Sequence, residues 1–563
     1  MDEEIRHRKE NVLTACAAAL VTWVGLFSHL GAIGLVGPDE PRYAWIARAM
    51  AQTGDWVTPR LYGSPWFEKP ILYYWMAAVG FDLHLPAEWA ARLPSALAAL
   101  AAALSIAWLA LGCQGVGSQQ THGRAQFGLS NPAILAPLLL SSSVAATGFA
   151  RAGTPDMIFS ASITLAMAAA TVVLRDSGGL RDARIPPGTA RNSAPARVGF
   201  GTFVGLAVLA KGPAAIVLAG GAVGIWMLAA RRWRPALGLL GPLALASFSV
   251  VALPWYVLCA VRNPGFLHVF IFEHNFERYL TPIFQHRQPF WFFVPITLLA
   301  ILPWTVLLVP AAHDGLRLWR ERRWHDSPTF FFACWAFSPI LFFSFSSSKL
   351  PGYILPGIPA LALTFAVAVR KPIEPRSRQS WLIFALLGLT WVGLAAGAWI
   401  WSRHLPLGAA VSCRAALLAG SGVAVAGGVT IVFCSALRRS TALWIALLLV
   451  PFLVELAGAV ILPNLDPYYS ARAVGTMLRA DQRPDRLFVY ELPRAWQYGL
   501  AFYLDRQLGE WSPDDRDAAL VLTTHSGAED LKNRGFLLGG VAEPYDTVLL
   551  VPIPTRPHGE YHR

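Results

Sequence analysis

Residues 12–36, VLTACAAALVTWVGLFSHLGAIGLV, run directly into residues 37–75, GPDEPRYAWIARAMAQTGDWVTPRLYGSPWFEKPILYYW. The first stretch is apolar and long enough to span a bilayer. The second is the densest cluster of ionisable and aromatic groups in the first third of the chain. Asp39, Glu40, Arg42, Arg48, Asp55, Arg60, Glu68 and Lys69 are therefore expected at a membrane face, where both water and lipid headgroups are within reach. That placement favours chemistry on a lipid-borne substrate.

The surrounding composition supports this reading. Charged residues make up 14% of the 563-residue chain and hydrophobic residues 55%, against about a quarter charged in an ordinary soluble protein. Apolar runs of about 20 residues recur, the length of a crossing helix. Helices satisfy their backbone groups without water, so the chain reads as a polytopic α-helical membrane protein. The net charge of +12 does not signal nucleic acid, because the basic residues fall in short loops between apolar spans, where they set orientation. Cys16, Cys113, Cys259, Cys334, Cys413 and Cys434 lie in or beside apolar spans and form no CxxC pair. That argues against a disulfide framework or a thiolate metal site. No small-residue cleavage site follows the first apolar run, which reads as a retained helix rather than a signal peptide.

Basic clusters at 6–9, 124, 175–197, 231–234, 317–323, 370–378 and 438–439 mark the cytoplasmic side. Between them, hydropathy predicts spans near 12–36, 88–111, 131–150, 157–174, 199–211, 213–230, 236–260, 291–311, 328–346, 351–369, 381–401, 411–437 and 441–462, about 13 crossings. The pair within 199–230 is short for two crossings. An odd number places the N-terminus in the cytoplasm and the C-terminus outside. Loops 37–87, 151–156, 261–290 and 346–353 then share the outer face, with Lys211 joining them at a short-helix junction. A transporter more often buries ionisable groups near the midplane and carries internal repeats, and no repeat is visible here. Residues 1–463 form the membrane domain. Strand patterns at 487–490, 519–523 and 547–552, with a helical stretch at 496–504, suggest a small extramembrane α/β domain over 464–563. It has no nucleotide-binding glycine loop.

Asp39 and Pro41 read as a helix start, a capping carboxylate followed by proline. Ile46, Ala47 and Met50 then form an apolar stripe, as in a helix lying along a membrane surface. Pro70 disfavours helix at Lys69, and in an extended segment adjacent side chains diverge. Glu68 is thus free to face a cation while Lys69 faces an anion. Glu68 with His274 makes a partial metal site suited to zinc, manganese or magnesium, and a structural histidine is the plain alternative. Arg42, Lys69, Lys211, Arg278 and Lys349, with Tyr353 close by in sequence, are candidates to hold a phosphate or diphosphate. Arg278 has the alternative of snorkelling to headgroups. Lys211 and Lys349 interrupt apolar regions, where an unpaired ammonium is costly.

The 37–44, 54–60 and 67–70 segments closely resemble the first outer loop of the ArnT-like lipid A aminoarabinose transferases. These are part of the polyprenyl-phosphate-dependent, protein-mannosyltransferase-like membrane glycosyltransferases with the GT-C fold. The segments 152–156, 211–213 and 349–353 are similar too, and beyond about residue 370 the likeness is architectural. The resemblance implies that Asp39 is the leading catalytic carboxylate, paired with Glu40, and that Asp156 is a second functional acid. It implies that Arg42, Lys69, Lys211 and Arg278 contact the lipid phosphate, that Tyr353 belongs to the carrier-lipid site, and that Glu68 and His274 occupy metal-associated positions. Ile71 departs from the pattern, where a second proline is expected.

The implied activity is transfer of a sugar from undecaprenyl phosphate to an acceptor at the outer face of a bacterial inner membrane. The sugar would be aminoarabinose and the acceptor lipid A. The expected partners are the donor lipid, the acceptor and membrane lipids, with no nucleic acid and the protein a monomer. Transfer to protein, polysaccharide or another lipid is the neighbouring alternative, and a lipid-linked-sugar flippase is an alternative of another class. A flippase predicts ionisable residues spaced along a crossing path, whereas these cluster on one face.

Overall fold

The computed structural model describes residues 2–112, 128–182, 193–277, 287–369, 378–437, 439–480, 487–515, 519–536, 538, 542–545 and 548–553. Helix α1 (Asp2–Phe27) carries the first apolar run. After an irregular segment, α2 (Asp39–Thr53) begins at Pro38 with two acids and a proline in its first turn, a composition matched to the positive end of a helix. It stops at Gly54, whose left-handed φ of 70° and amide bond to the Met50 carbonyl close the last turn. Asp39 is the first helical residue, and Pro38 in the capping position makes no side-chain cap. The capping role expected of Asp39 is thus replaced by an ion pair to Arg42. The expected stripe is present, with Ile46, Ala47 and Met50 buried.

A hairpin of β1 (Arg60–Leu61) and β2 (Ser64–Pro65) leads to α3 (Leu72–Asp82) and α4 (Ala87–Leu111). Side-chain caps from Asn131 and Ser143 open α5 (Pro132–Ser141) and α6 (Val144–Ala150). Then come α7 (Asp156–Asp176), α8 (Ala194–Lys211), α9 (Ala214–Ala230) and α10 (Pro242–Arg262). Gly212, at φ 94°, and Pro213 part α8 from α9 at the junction that the sequence marks. The remaining bundle helices are α11 (Phe293–Ala300), α12 (Leu308–Arg320), α13 (Pro328–Ser344), α14 (Ile358–Val369), α15 (Arg378–Trp401), α16 (Leu407–Leu437) and α17 (Arg439–Leu456).

Among the described residues, seven helices are long and apolar enough to cross a membrane by length and composition, or up to nine if each of two bent pairs is one span. The bends are 63° between α5 and α6, and 107° between 290–300 and 304–320. Shorter apolar helices lie at Asn11–Phe27, Ala214–Ala230 and Pro328–Ser344; the span expected at 12–36 stops being helical at Phe27, and those expected at 213–230 and 328–346 are largely filled. The basic residues at 124, 184, 191, 370, 371, 376 and 438 lie outside the described residues. One apolar cluster joins side chains from Val21 to Val450. Glycine permits its closest crossings: a Cβ on Gly201 of α8 would collide with the Ala244 carbonyl of α10.

After α18 (Leu462–Tyr469) and α19 (Arg472–Ala480), a five-stranded sheet forms from β3 (Leu487–Val489), β4 (Gly509–Glu510), β5 (Ala519–Thr523), β6 (Ala542–Tyr545) and β7 (Val548–Ile553). Its order is β4-β3-β5-β7-β6. β3 runs parallel to β4 and β5, and β7 runs antiparallel to β5 and β6. Alternate residues of the strands feed two small cores. One is shared with α19 and α20 (Arg494–Leu504), the other with α21 (His525–Asn533). The strand patterns at 487–490, 519–523 and 547–552 correspond to β3, β5 and β7, with Thr547 outside the described residues.

This C-terminal unit is tied to the chain that carries Asp39. The Gly34 amide donates to Asp466 Oδ1 at 2.7 Å, and Arg472 pairs with Asp466 at 2.7 Å while donating to the Gly31 carbonyl. Tyr503 of α20 accepts from the Leu35 amide and donates to Glu88 of α4, both at 2.8 Å. Arg48 of α2 reaches Asp505 at 2.8 Å and the Phe502 carbonyl at 3.1 Å.

Candidate active site

The charged loop folds so that its ions meet one another. Arg42 lies one turn beyond Asp39 on α2, the i,i+3 spacing at which side chains on a helix are neighbours. Its Nη2 contacts Asp39 Oδ1 at 2.5 Å and Glu68 Oε2 at 2.9 Å. The other Glu68 oxygen accepts from Lys69 Nζ at 3.0 Å. The divergence expected of Glu68 and Lys69 is therefore corrected. The chain bends at these two residues instead of running extended, and the bend turns their side chains together.

The two acids of α2's first turn differ in environment. Asp39 keeps 52% of its side-chain surface accessible. Surrounding protein still displaces part of its hydration, and this desolvation raises its pKa above the ordinary aspartate range. Glu68 and Asp156 add to the rise, while Arg42 and Lys69 oppose it. Burial works against the Arg42 charge, but Glu68, Tyr43 and Asp39 outweigh it and raise the Arg42 pKa. Glu40 is 4% exposed and faces elsewhere. One oxygen accepts from the Gly153 amide at 2.6 Å and Arg92 Nε at 3.1 Å; the other accepts from the Val36 amide at 2.9 Å and Arg92 Nη2 at 2.7 Å. Arg92, 2% exposed, also donates to the Leu30, Ile33 and Gly34 carbonyls. The geometry gives Glu40 a structural position instead of the expected share in catalysis, because its acceptor capacity is taken up by a buried hub.

A second group forms where three helical segments end. Asp156 opens α7, Lys211 closes α8, and Tyr353 sits in the tight turn 351–357 before α14. Lys211 is ion-paired with Asp156. Its ammonium lies 5.2 Å from the Tyr353 ring centre and 5.7 Å from that of Phe159, positions from which the π faces attract a cation. Lys69 acts electrostatically on Asp156 and Asp156 on Asp39, which links the two groups into one field. The result is a cluster of three cations and three acids at helix ends and at the bend before α3, one of the acids half open. Such a cluster suits holding and releasing a phosphate beside a group that titrates.

Lys349 stands apart from this cluster, and Arg278 lies outside the described residues. Lys349 is 7% exposed, and its ammonium donates to the backbone carbonyls of Ser346 at 2.6 Å and Gln288 at 3.1 Å. Burial lowers its pKa. It closes a loop, which corrects its expected role as a phosphate contact. His274 lies in the helical run His268–Glu277. Among the described residues no group of three or more His, Cys, Asp or Glu side chains is gathered to hold a metal, and both Glu68 oxygens are ion-paired with cations. A metal at Glu68 would therefore have to displace Arg42 or Lys69 from its oxygens. Arg92 and Glu88 were not singled out from sequence. The available signal was ionisable residues inside an apolar helical run, which are rarely idle.

A family model for dolichyl-phosphate-mannose-protein mannosyltransferases matches residues 11–270. The chain is 31% identical to undecaprenyl phosphate-alpha-4-amino-4-deoxy-L-arabinose arabinosyl transferase 2 of Sodalis glossinidius, over 72% of this chain and 68% of that one. It is 33% identical to the similarly named protein of Edwardsiella ictaluri over 59% of this chain. The chain spans little more than half the length of that relative, 55%. The crystal structure of ArnT from Cupriavidus metallidurans bound to undecaprenyl phosphate superposes with a TM-score of 0.74, covering 96% of this chain and 97% of that one at 22% identity. That likeness establishes the shared fold.

Proposed function

The chain belongs to the ArnT-like, protein-mannosyltransferase-related family of membrane glycosyltransferases with the GT-C fold, and we propose that it moves a sugar from undecaprenyl phosphate to an acceptor at the outer face of a bacterial inner membrane. The sugar is aminoarabinose and the acceptor a lipid A phosphate. In this reading about thirteen crossings place the N-terminus in the cytoplasm. The site and an extramembrane domain over 464–563 face the periplasm, and the protein acts as a monomer.

The observation that carries the proposal is the Asp39–Arg42–Glu68–Lys69 chain of ion pairs beside Asp156–Lys211. In the reaction an acceptor oxygen attacks the anomeric carbon from the face opposite the lipid phosphate. The new carbon–oxygen bond forms as the sugar–phosphate bond breaks, inverting the centre. The bonding pair leaves with the lipid phosphate, whose growing charge Arg42, Lys69 and Lys211 stabilise. A phosphate acceptor is already an anion near neutral pH, so Asp39 then orients the sugar and balances charge. A hydroxyl acceptor needs Asp39 as general base, worth roughly 100- to 10,000-fold.

The family model at residues 11–270 is named for transfer to protein, which supports a second reading in which a protein hydroxyl is the acceptor. Closed ion pairs at helix ends, rather than charges along a crossing path, favour a transferase over a flippase. Mass spectrometry of outer-membrane lipids and glycoproteins from cells with and without the protein tests these readings. Loss of aminoarabinose from lipid A is expected. An unchanged lipid A profile with loss of a protein glycan moves the assignment to the second reading.

A further inference from the structure

The Arg42 guanidinium is incompletely fixed by its ion pairs. Both Asp39 and Glu68 contact the same nitrogen, Nη2, and Nε is buried with no hydrogen-bond partner among the described residues. Two bonds to one corner leave a planar group free to swing. What confines the plane is three rings. Its central carbon lies 5.2 Å from the ring centre of Tyr43, 5.5 Å from Trp66 and 5.5 Å from Tyr498. Tyr43 and Trp66 come from the charged loop itself. Tyr498 comes from α20, in the C-terminal unit, and packs against the main apolar core of the bundle.

We infer that Tyr498 is a positioning residue for Arg42, so that the C-terminal unit completes the site and is not an appendage to it. A guanidinium over an aromatic face is held by the ring quadrupole and by stacking. Each face removed lets the plane rotate away from the lipid phosphate. The neighbouring contacts are built to hold the ring in register. On the same helix, Tyr503 is bonded to Glu88 and to the Leu35 amide. Phe502 lies 4.2 Å beneath the guanidinium carbon of Arg48, which also donates to the Phe502 carbonyl. The helix that delivers Tyr498 is thus fastened to the helix that bears Arg42, within two turns of it.

This inference rests on the reading that Arg42 holds the charge of a polyprenyl phosphate. The test measures binding of undecaprenyl phosphate to the full chain in detergent micelles, together with KM and kcat for sugar transfer. Three variants are compared: Tyr498→Ala, Tyr498→Leu, which keeps apolar bulk without a π face, and Tyr498→Phe, which keeps the ring. The Ala and Leu variants are expected to bind about tenfold more weakly, with KM for the donor rising more than kcat falls. Phe restores binding to within about threefold. If Ala fails to fold, Leu alone decides. A folded Ala or Leu variant with wild-type binding and KM overturns the inference, as does a Phe variant as weak as Leu. Wild-type protein that binds no undecaprenyl phosphate overturns the functional reading instead.

Discussion

At Asp39 half of the side-chain surface meets solvent and Arg42 holds one oxygen. One residue on, both oxygens of Glu40 are engaged by Arg92 and two backbone amides. The pair therefore responds differently to substitution. Asp39→Asn is expected to leave the protein folded and membrane-inserted and to abolish most sugar transfer, measured as labelled sugar reaching the acceptor, with a loss of at least about 100-fold where the acceptor is a hydroxyl and Asp39 its base. The pKa of Asp39 is raised, so on acidification its carboxylate is lost above the ordinary aspartate range. Wild-type activity should fall there, and residual activity of the Asn variant should lack that limb. Glu40→Ala strands the Arg92 charge, and losing one partner of a buried pair costs about 3–5 kcal/mol. Thermal unfolding in detergent should drop sharply, and a variant as stable as wild type would refute the structural role. Chelation with EDTA should lower transfer less than about tenfold, because Glu68 is neutralised by protein cations. Complete loss restored by zinc or manganese would reinstate Glu68 and His274 as ligands. The sequence displayed both acids but could not tell them apart. Asp39 pairs one turn away with Arg42, whereas Glu40's partners Arg92 and Gly153 lie far along the chain, and adjacency carries no information about which face of a helix meets a buried cation.

Among the elements, those fixed by local chemistry were readable. The start of α2 follows from its acids and proline, and the break between α8 and α9 follows from Gly212 and Pro213. The bend at Glu68 and Lys69 was not readable. The proline rule disfavours helix at Lys69 but leaves open whether the chain extends or turns, and Arg42 decides it by drawing Glu68 inward. Close helix crossings were equally hidden, since a glycine in an apolar run looks the same whether it faces lipid or a neighbour. Gly201 faces a neighbour, the Ala244 carbonyl of α10. Gly201→Ala forces α8 and α10 apart and should destabilise the bundle by about 1–3 kcal/mol. Gly220 on α9, with nothing near its Cβ position, should accept alanine without loss. Paired melting curves of the two variants check this, and equal stability would show that α8 and α10 are not held at the observed separation.

Across the whole molecule, β3, β5, β7 and α20 of the C-terminal unit could be read from alternation and periodicity, but not the short β4 and β6, the helix α21, or the place where the unit docks. That docking depends on single polar pairs between the 31–88 segment and residues beyond 460. Arg472 is central to it, joining Asp466, Glu88 and the Gly31 and Ala32 carbonyls. Replacing it with leucine removes charge-assisted bonds worth about 1.5–3 kcal/mol each when well formed, and leaves Asp466 and Glu88 facing each other's charge with less compensation. The unit should loosen on the bundle while its own two small cores remain intact. Amide exchange at Gly34 and Leu35, whose donors bond to Asp466 and Tyr503, should accelerate, while exchange in β5 stays slow. If the unit acts on Arg42 only through Tyr498, Arg472→Leu and Tyr498→Leu remove one and the same effect. Their double variant should then bind undecaprenyl phosphate no more weakly than the worse single variant. Full additivity of the two losses would mean that the docking contacts reach the site by a separate route, through the 31–36 segment that leads into Asp39.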